Sequence, residues 1–264
     1  MTGSDPKRDV NRTDFYLAIK RQIWYNKNND IFMKESVRTN TEQEKKMEEL
    51  VNRAIRRYLK KHYPGEMRRI VCRAARIRPK LMRRAPDLGG KENALANNLN
   101  LFILFLSYYE ATNHRMGGDA IDEIIADLYR QLKFLRVFMN INRPGFLVVL
   151  RRYLYQSYQK YADKVKEKQK EGKWLATWGM LVNPNHTNEG FAFTLVGCPL
   201  AEYAKKYGYM ELMPHMCALD HAYAKLLHAR LIRTHTVATG ADSCDYWYVP
   251  DQSKTAKRYK GKSL

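Results

Sequence analysis

The hydrophobic pattern of this 264-residue chain changes period after Gly172, and that change limits the fold more than any single motif does. Before it, apolar residues recur three and four apart, the spacing of one helix face. Met47, Leu50, Val51, Ala54, Ile55, Tyr58 and Leu59 form one stripe, opened by Thr41 and Glu44 at capping-box spacing and ended by Tyr63-Pro64-Gly65. Ile121, Ile124, Ile125, Leu128, Leu132 and Leu135 form another, capped by Asp119 and reaching about Met139. Further helices are predicted over 13–25, 67–84, 93–113 and 146–171, with 26–39 as a connection. After Gly172 the pattern predicts strands over 174–182 and 190–196 around Asn183-Pro184-Asn185. Helices over 199–207 and 211–229 follow, then strands over 230–239 and 243–249 around Gly240-Ala241-Asp242. Helices followed by strands in one chain predict an α+β fold, a helical N-terminal region packed on a small antiparallel sheet.

The chain is long enough to bury a core without staples, and with 45% hydrophobic residues it is too apolar to be disordered. Its longest apolar run, Leu99–Tyr109, falls far short of the ~20 residues of a membrane span. The opening MTGSDPKRDVNRTD has no apolar core for a secretory signal. A reducing, cytoplasmic setting is expected, with Cys72, Cys198, Cys217 and Cys244 as thiols. A homo-oligomer is an open expectation.

The net charge of +20 is unevenly placed. Residues 67–84 hold eight bases and no acid (Arg68, Arg69, Arg73, Arg76, Arg78, Lys80, Arg83, Arg84), and the tail from Pro250 is basic too. Residues 181–249 hold five bases against six acids and three of the four cysteines. Charge and candidate chemistry are therefore separated along the chain. Three parts are expected: a basic helical extension (1–85), an α+β domain (86–249) and a basic tail (250–264). Ile70, Cys72, Ala74, Ala75 and Ile77 interrupt the basic helix, so one reading is a solvated face on a packed helix. The other is polyanion contact through Arg68–Arg84 and the tail.

Three groups could carry chemistry. Cys198 precedes Pro199 at a helix start, where thiol pKa values fall. Cys217, Asp220 and His221 share one turn of a helix, so His221 or Asp220 could serve the thiol as base. Arg233, Thr234 and Thr236 precede Cys244 and Asp245, and if the strand is regular the threonines face away from Arg233. Cys244 and Asp245 are adjacent and must also point to opposite faces. For each cysteine the alternative is a small packed side chain. The thiols with His215, His221 or His235 could surround a metal, but no CxxC pair supports it, and no metal or cofactor is expected. No G-x-S-x-G, dinucleotide fingerprint or phosphate loop is present.

Taken together, Cys198-Pro199, Cys217-x-x-Asp220, Arg233-Thr234-x-Thr236, Gly240 and Cys244-Asp245-Tyr246 resemble the L-2-amino-thiazoline-4-carboxylic acid hydrolase family. Leu88-Gly89-Gly90-Lys91-Glu92-Asn93 before the apolar helix extends the likeness, which covers about Pro86 to Val249. Ala241 and Tyr246 depart from it, standing where a second Gly and a Phe are expected. The resemblance implies hydrolysis of a C–N bond in a small cyclic amidine or thiazoline carboxylate. Cys217 or Cys244, or an activated water, would attack; Asp220, Asp245 or His221 would move protons. Arg233 would pair with the substrate carboxylate, with Thr234, Thr236 and Cys198 as further binding residues. The chain's ending is also distantly similar to the 4-vinyl-reductase fold, helices against an antiparallel sheet. The competing reading is a non-catalytic small-ligand or RNA-binding module with structural cysteines.

Overall fold

The computed structural model of the protein describes residues 33–261, and their side chains from residue 46 onward. The helix expected at 13–25 lies outside these. Helix α1 runs Met33–His62, so part of the expected connection is helical and Thr41 sits inside the helix. No Gly or Pro stands between Met33 and His62 to stop it. Helices α2 (Met67–Met82), α3 (Ala96–Ala111), α4 (Gly118–Leu132) and α5 (Pro144–Lys170) follow. A four-stranded sheet then interleaves with α6 (Pro199–Tyr207) and α7 (Met213–Leu226), and α8 (Lys254–Arg258) ends the described chain. Its strands are β1 (Gly179–Val182), β2 (Phe191–Val196), β3 (Ala229–Ile232) and β4 (Ser243–Pro250). They pair antiparallel in the order β1-β2-β4-β3, so the fold is α+β as expected.

Phe102–Tyr109 on α3 are buried without a break, and α1, α2, α4, α6 and α7 pack around this helix. A helix apolar on every side has no face to give to water, so it takes the centre. Helix α2 turns Ile70, Ala74 and Leu81 inward and leaves most of its arginines in solvent. Several of these are engaged: Arg69 with Glu66, Arg78 with Glu48 at 2.5 Å, and Arg73 with Asn113 at 2.7 Å. A second cluster lies between α5, α7 and the sheet, around Phe191, Phe193, Leu231 and Tyr248. The opposite face of β3 and β4 is covered by Ala256 of α8 and by Tyr259. Among the described residues no helix is long and apolar enough to cross a membrane.

Two expected strands are shorter than the pattern implies. Trp174 takes a left-handed backbone (φ +54°) and its carbonyl accepts from Thr177, so the first strand starts only at Gly179. Its indole lies against Gly89, itself left-handed at φ +88°. Asn93, fully buried, ties this turn to the preceding loop by donating to the Leu88 carbonyl (2.6 Å) and Thr177 Oγ1 (2.7 Å). The segment Leu88–Asn93 is thus a structural clasp between the helices and the sheet. A Cβ on Gly89 would run into the Trp174 ring. Gly89→Ala is expected to destabilise the protein by at least about 2 kcal/mol in urea unfolding, from overpacking and the lost left-handed freedom together.

Candidate active site

Strand β3 ends at Ile232, seven residues before the expected boundary at Thr239, because Asp245 draws the following loop across the sheet edge. Its carboxylate accepts from the Thr234 amide (2.9 Å), the Thr234 hydroxyl (2.8 Å) and the His235 amide (2.9 Å). Thr236 is buried and caps the short 3-10 turn Val237–Thr239 in a reciprocal box with Thr239. These contacts hold the loop in place. The strand alternation expected for Arg233, Thr234 and Thr236 accordingly does not arise.

Held this way, Arg233 turns inward, and only 2% of its side chain is exposed. Its Nη2 donates to Asp220 Oδ2 at 2.6 Å and its Nη1 to the Cys217 carbonyl at 3.2 Å. The guanidinium carbon lies 4.3 Å from the centre of the Tyr246 ring, a cation–π contact. Its Nε is sealed and unpartnered. The guanidinium is therefore engaged by the protein's own groups at Asp220, the Cys217 carbonyl and the Tyr246 ring.

Asp220 is the open member of the pair. Its side chain keeps 35% of its surface in contact with solvent, yet burial is the largest influence on it and raises its pKa. The Arg233 charge and hydrogen bond oppose that rise, and so does a hydrogen bond from Tyr246. Tyr223 behaves alike, 37% exposed but strongly desolvated. Both groups are crowded by protein on most sides and open to water on one, and the open recess between them is the candidate hollow. Tyr129 of α4, Tyr158 of α5 and Tyr246 and Tyr248 of β4 stand around it, each phenol raised by burial and further by the Asp220 charge, while Tyr223 of α7 is raised by burial and by Tyr153. Apart from Tyr129, the rings touch in series as a wall: Tyr158 on Phe193 (4.8 Å between centres), Phe193 on Tyr246 (4.5 Å), Tyr246 on Tyr248 (6.5 Å), and Tyr223 edge-on to Tyr248 (6.0 Å). All these phenols stay protonated at neutral pH and so are hydrogen-bond donors.

The three late thiols converge. Cys217, one turn before Asp220, feels both Cys244 and Cys198. Burial pushes the Cys217 thiol up to about 12, with Asp220 adding to the rise and Arg233 opposing it. Cys244 is buried on the same face of β4 as Tyr246, and its Sγ accepts from the Val237 amide at 3.2 Å. Burial raises its pKa too. At Cys198 burial outweighs the amides at the start of α6, so the helix N-terminus does not produce the depressed thiol expected there. Asp245 faces the opposite side of β4 from Cys244, as adjacent strand residues must. His221 is pushed down to about 4 by burial and by the Arg233 and Lys225 charges, and its Nε2 is sealed without a partner. It is a neutral ring. Among the described residues no three Cys, His or acidic side chains are disposed to hold a metal.

This geometry belongs to the stretch that a known family shares. Residues 98–248 match the L-2-amino-thiazoline-4-carboxylic acid hydrolase family. The chain belongs to that family. The match runs from the first turn of α3 into the end of β4 and contains every residue of the hollow, while α1, α2 and α8 lie outside it. No curated protein and no solved structure matches the chain significantly.

The aromatic wall escapes sequence reasoning because its tyrosines come from four separate elements. The only trace is compositional, 18 Tyr against 9 Phe. Two outcomes are expected. Asp245→Ala, which frees the loop that delivers Arg233, lowers stability by about 2–3 kcal/mol in chemical denaturation. For His221, the folded state refuses a proton that the unfolded chain accepts between its ordinary 6.5 and about 4. Stability therefore falls as pH drops through that window, and His221→Gln removes this part of the loss in urea midpoints measured at successive pH values.

Proposed function

We propose that the hollow is the catalytic centre of a hydrolase that opens a small cyclic amidine or thiazoline carboxylate at a C–N bond. The observation that carries this reading is the Asp220–Arg233 pair: a desolvated carboxylate, locked by a sealed guanidinium, and open on one side to an aromatic-lined space. Raised carboxyl pKa values suit proton transfer near neutral pH.

In this reading Asp220 takes a proton from a water molecule, whose oxygen attacks the ring carbon between nitrogen and sulfur. The tetrahedral adduct collapses with cleavage of the C–N bond, and the proton held by Asp220 passes to the departing nitrogen. Arg233 is a positioning residue that keeps Asp220 aimed and balances its charge. Tyr246 and its neighbours supply donors and a low-dielectric wall for the planar ring. Cys217 lines the space as a neutral thiol. A thiol held at about 12 is a poor resting nucleophile.

With 2-amino-thiazoline-4-carboxylate as substrate, Asp220→Asn is expected to lower kcat by at least about 100-fold. The wild-type rate should fall on the acid side, where the base is protonated, with a midpoint above the ordinary carboxyl value of 3.8. Cys217→Ser should retain turnover within about 10-fold, since no thiolate is used. Full activity in Asp220→Asn would remove the carboxylate from the mechanism; an inactive Cys217→Ser beside it would install thiolate attack instead.

A further inference from the structure

A second cavity, of about 500 Å³, lies away from the hollow, where α1, α2 and α3 meet. Each helix turns one face to it: Arg56 from α1, Ala74, Ala75 and Arg78 from α2, and Leu104 and Tyr108 from α3. The two alanines leave the space that larger side chains would fill. Most of the lining falls outside residues 98–248, so this cavity is a product of the N-terminal extension.

Its floor is polar and incompletely satisfied. Tyr108 is 95% buried, yet its hydroxyl makes no hydrogen bond among the described residues and is not sealed. It faces the cavity as a free donor. Ser107, also buried, spends its proton on the Leu104 carbonyl (2.7 Å) and keeps an acceptor. At the rim Arg56 has no acidic partner among the described residues, whereas Arg78 is held by Glu48 and Arg53 lies 3.7 Å from Glu49. The Arg56 and Arg78 charges both reach the Tyr108 hydroxyl. Val71, Ala74 and Leu104 make the wall apolar.

We propose that this cavity binds a small organic anion, its phosphate or carboxylate head between Arg56, Arg78 and the Tyr108 hydroxyl and its apolar body along Val71, Ala74 and Leu104. Cation and hydroxyl suit the head, and the volume admits a ring-sized body. The site does not depend on the hydrolase reading, and it puts part of the basic extension to a defined use.

The test is calorimetric titration of the full-length protein at low salt with phenyl phosphate, benzoate and inorganic phosphate. Saturable one-to-one binding of an organic anion is expected, and the stronger of the two identifies the head. Inorganic phosphate should bind at least ~10-fold more weakly, because it leaves the wall wet. Arg56→Gln, an exposed and structurally neutral change, should weaken binding by about 10-fold. Tyr108→Phe should weaken it by about 5-fold. Ala75→Leu should abolish it by filling the space. Asp220→Asn should leave the affinity unchanged. No saturable binding of either organic anion overturns the proposal. So does affinity that Arg56→Gln and Ala75→Leu leave intact, or affinity lost in Asp220→Asn, which would put the ligand in the catalytic hollow.

Discussion

The Asp220–Arg233 ion pair is the interaction on which the C-terminal half of the structure is organised. Two opposite charges withdrawn from water are costly unless the geometry is good and the remaining polar atoms are satisfied. Here one guanidinium donor meets the carboxylate at 2.6 Å, another meets the Cys217 carbonyl, and the flat face rests on Tyr246, with Nε left unpartnered. The pair bridges α7 to the loop after β3, so helix and sheet are joined at the point where the hollow begins. Burial is kept asymmetric: the guanidinium is closed off and the carboxylate is not. That asymmetry leaves one charged member of a structural pair accessible from solvent.

Several polar residues nearby make contacts that brace this pair. Asp245 lies on the opposite side of β4 from Cys244 and holds the loop that carries Arg233. Thr234 and Thr236 work for the same loop. His221 is a sealed neutral ring whose effect is on acid stability. Cys217 and Cys244 stand near Asp220 as thiols, with Cys198 beside them. A cluster of polar and sulfur groups in sequence has thus separated into an ion pair with one open carboxylate and a frame of residues that hold it.

The helical half supplies a different kind of order. Helix α3, apolar all round, is the axis on which α1, α2, α4, α6 and α7 pack, and the clasp of Leu88, Asn93, Trp174 and Thr177 joins this bundle to the sheet. Where α1 and α2 reach α3, alanines in place of larger side chains open the cavity beneath the basic rim. The family stretch alone would leave one side of α3 uncovered. The extension covers it and in doing so creates a second polar recess.

Much of the architecture was legible in the sequence because helix and strand periods are local properties. The 199–207 helix, the paired strands around the two turns, and the Cys-x-x-Asp and Arg-Thr groupings follow from spacing that neighbouring residues impose on one another. The family could be read the same way. What spacing could not determine was direction: whether Arg233 faces ligand or protein, whether Asp245 faces the hollow, and how far β3 extends. Those answers depend on contacts between residues distant in the chain, above all the grip of Asp245 on the 234–235 amides and of Asp220 on Arg233. The tyrosine wall was invisible for the same reason. Its members share no local pattern, and only the folding of α4, α5, α7 and β4 around one space brings them together.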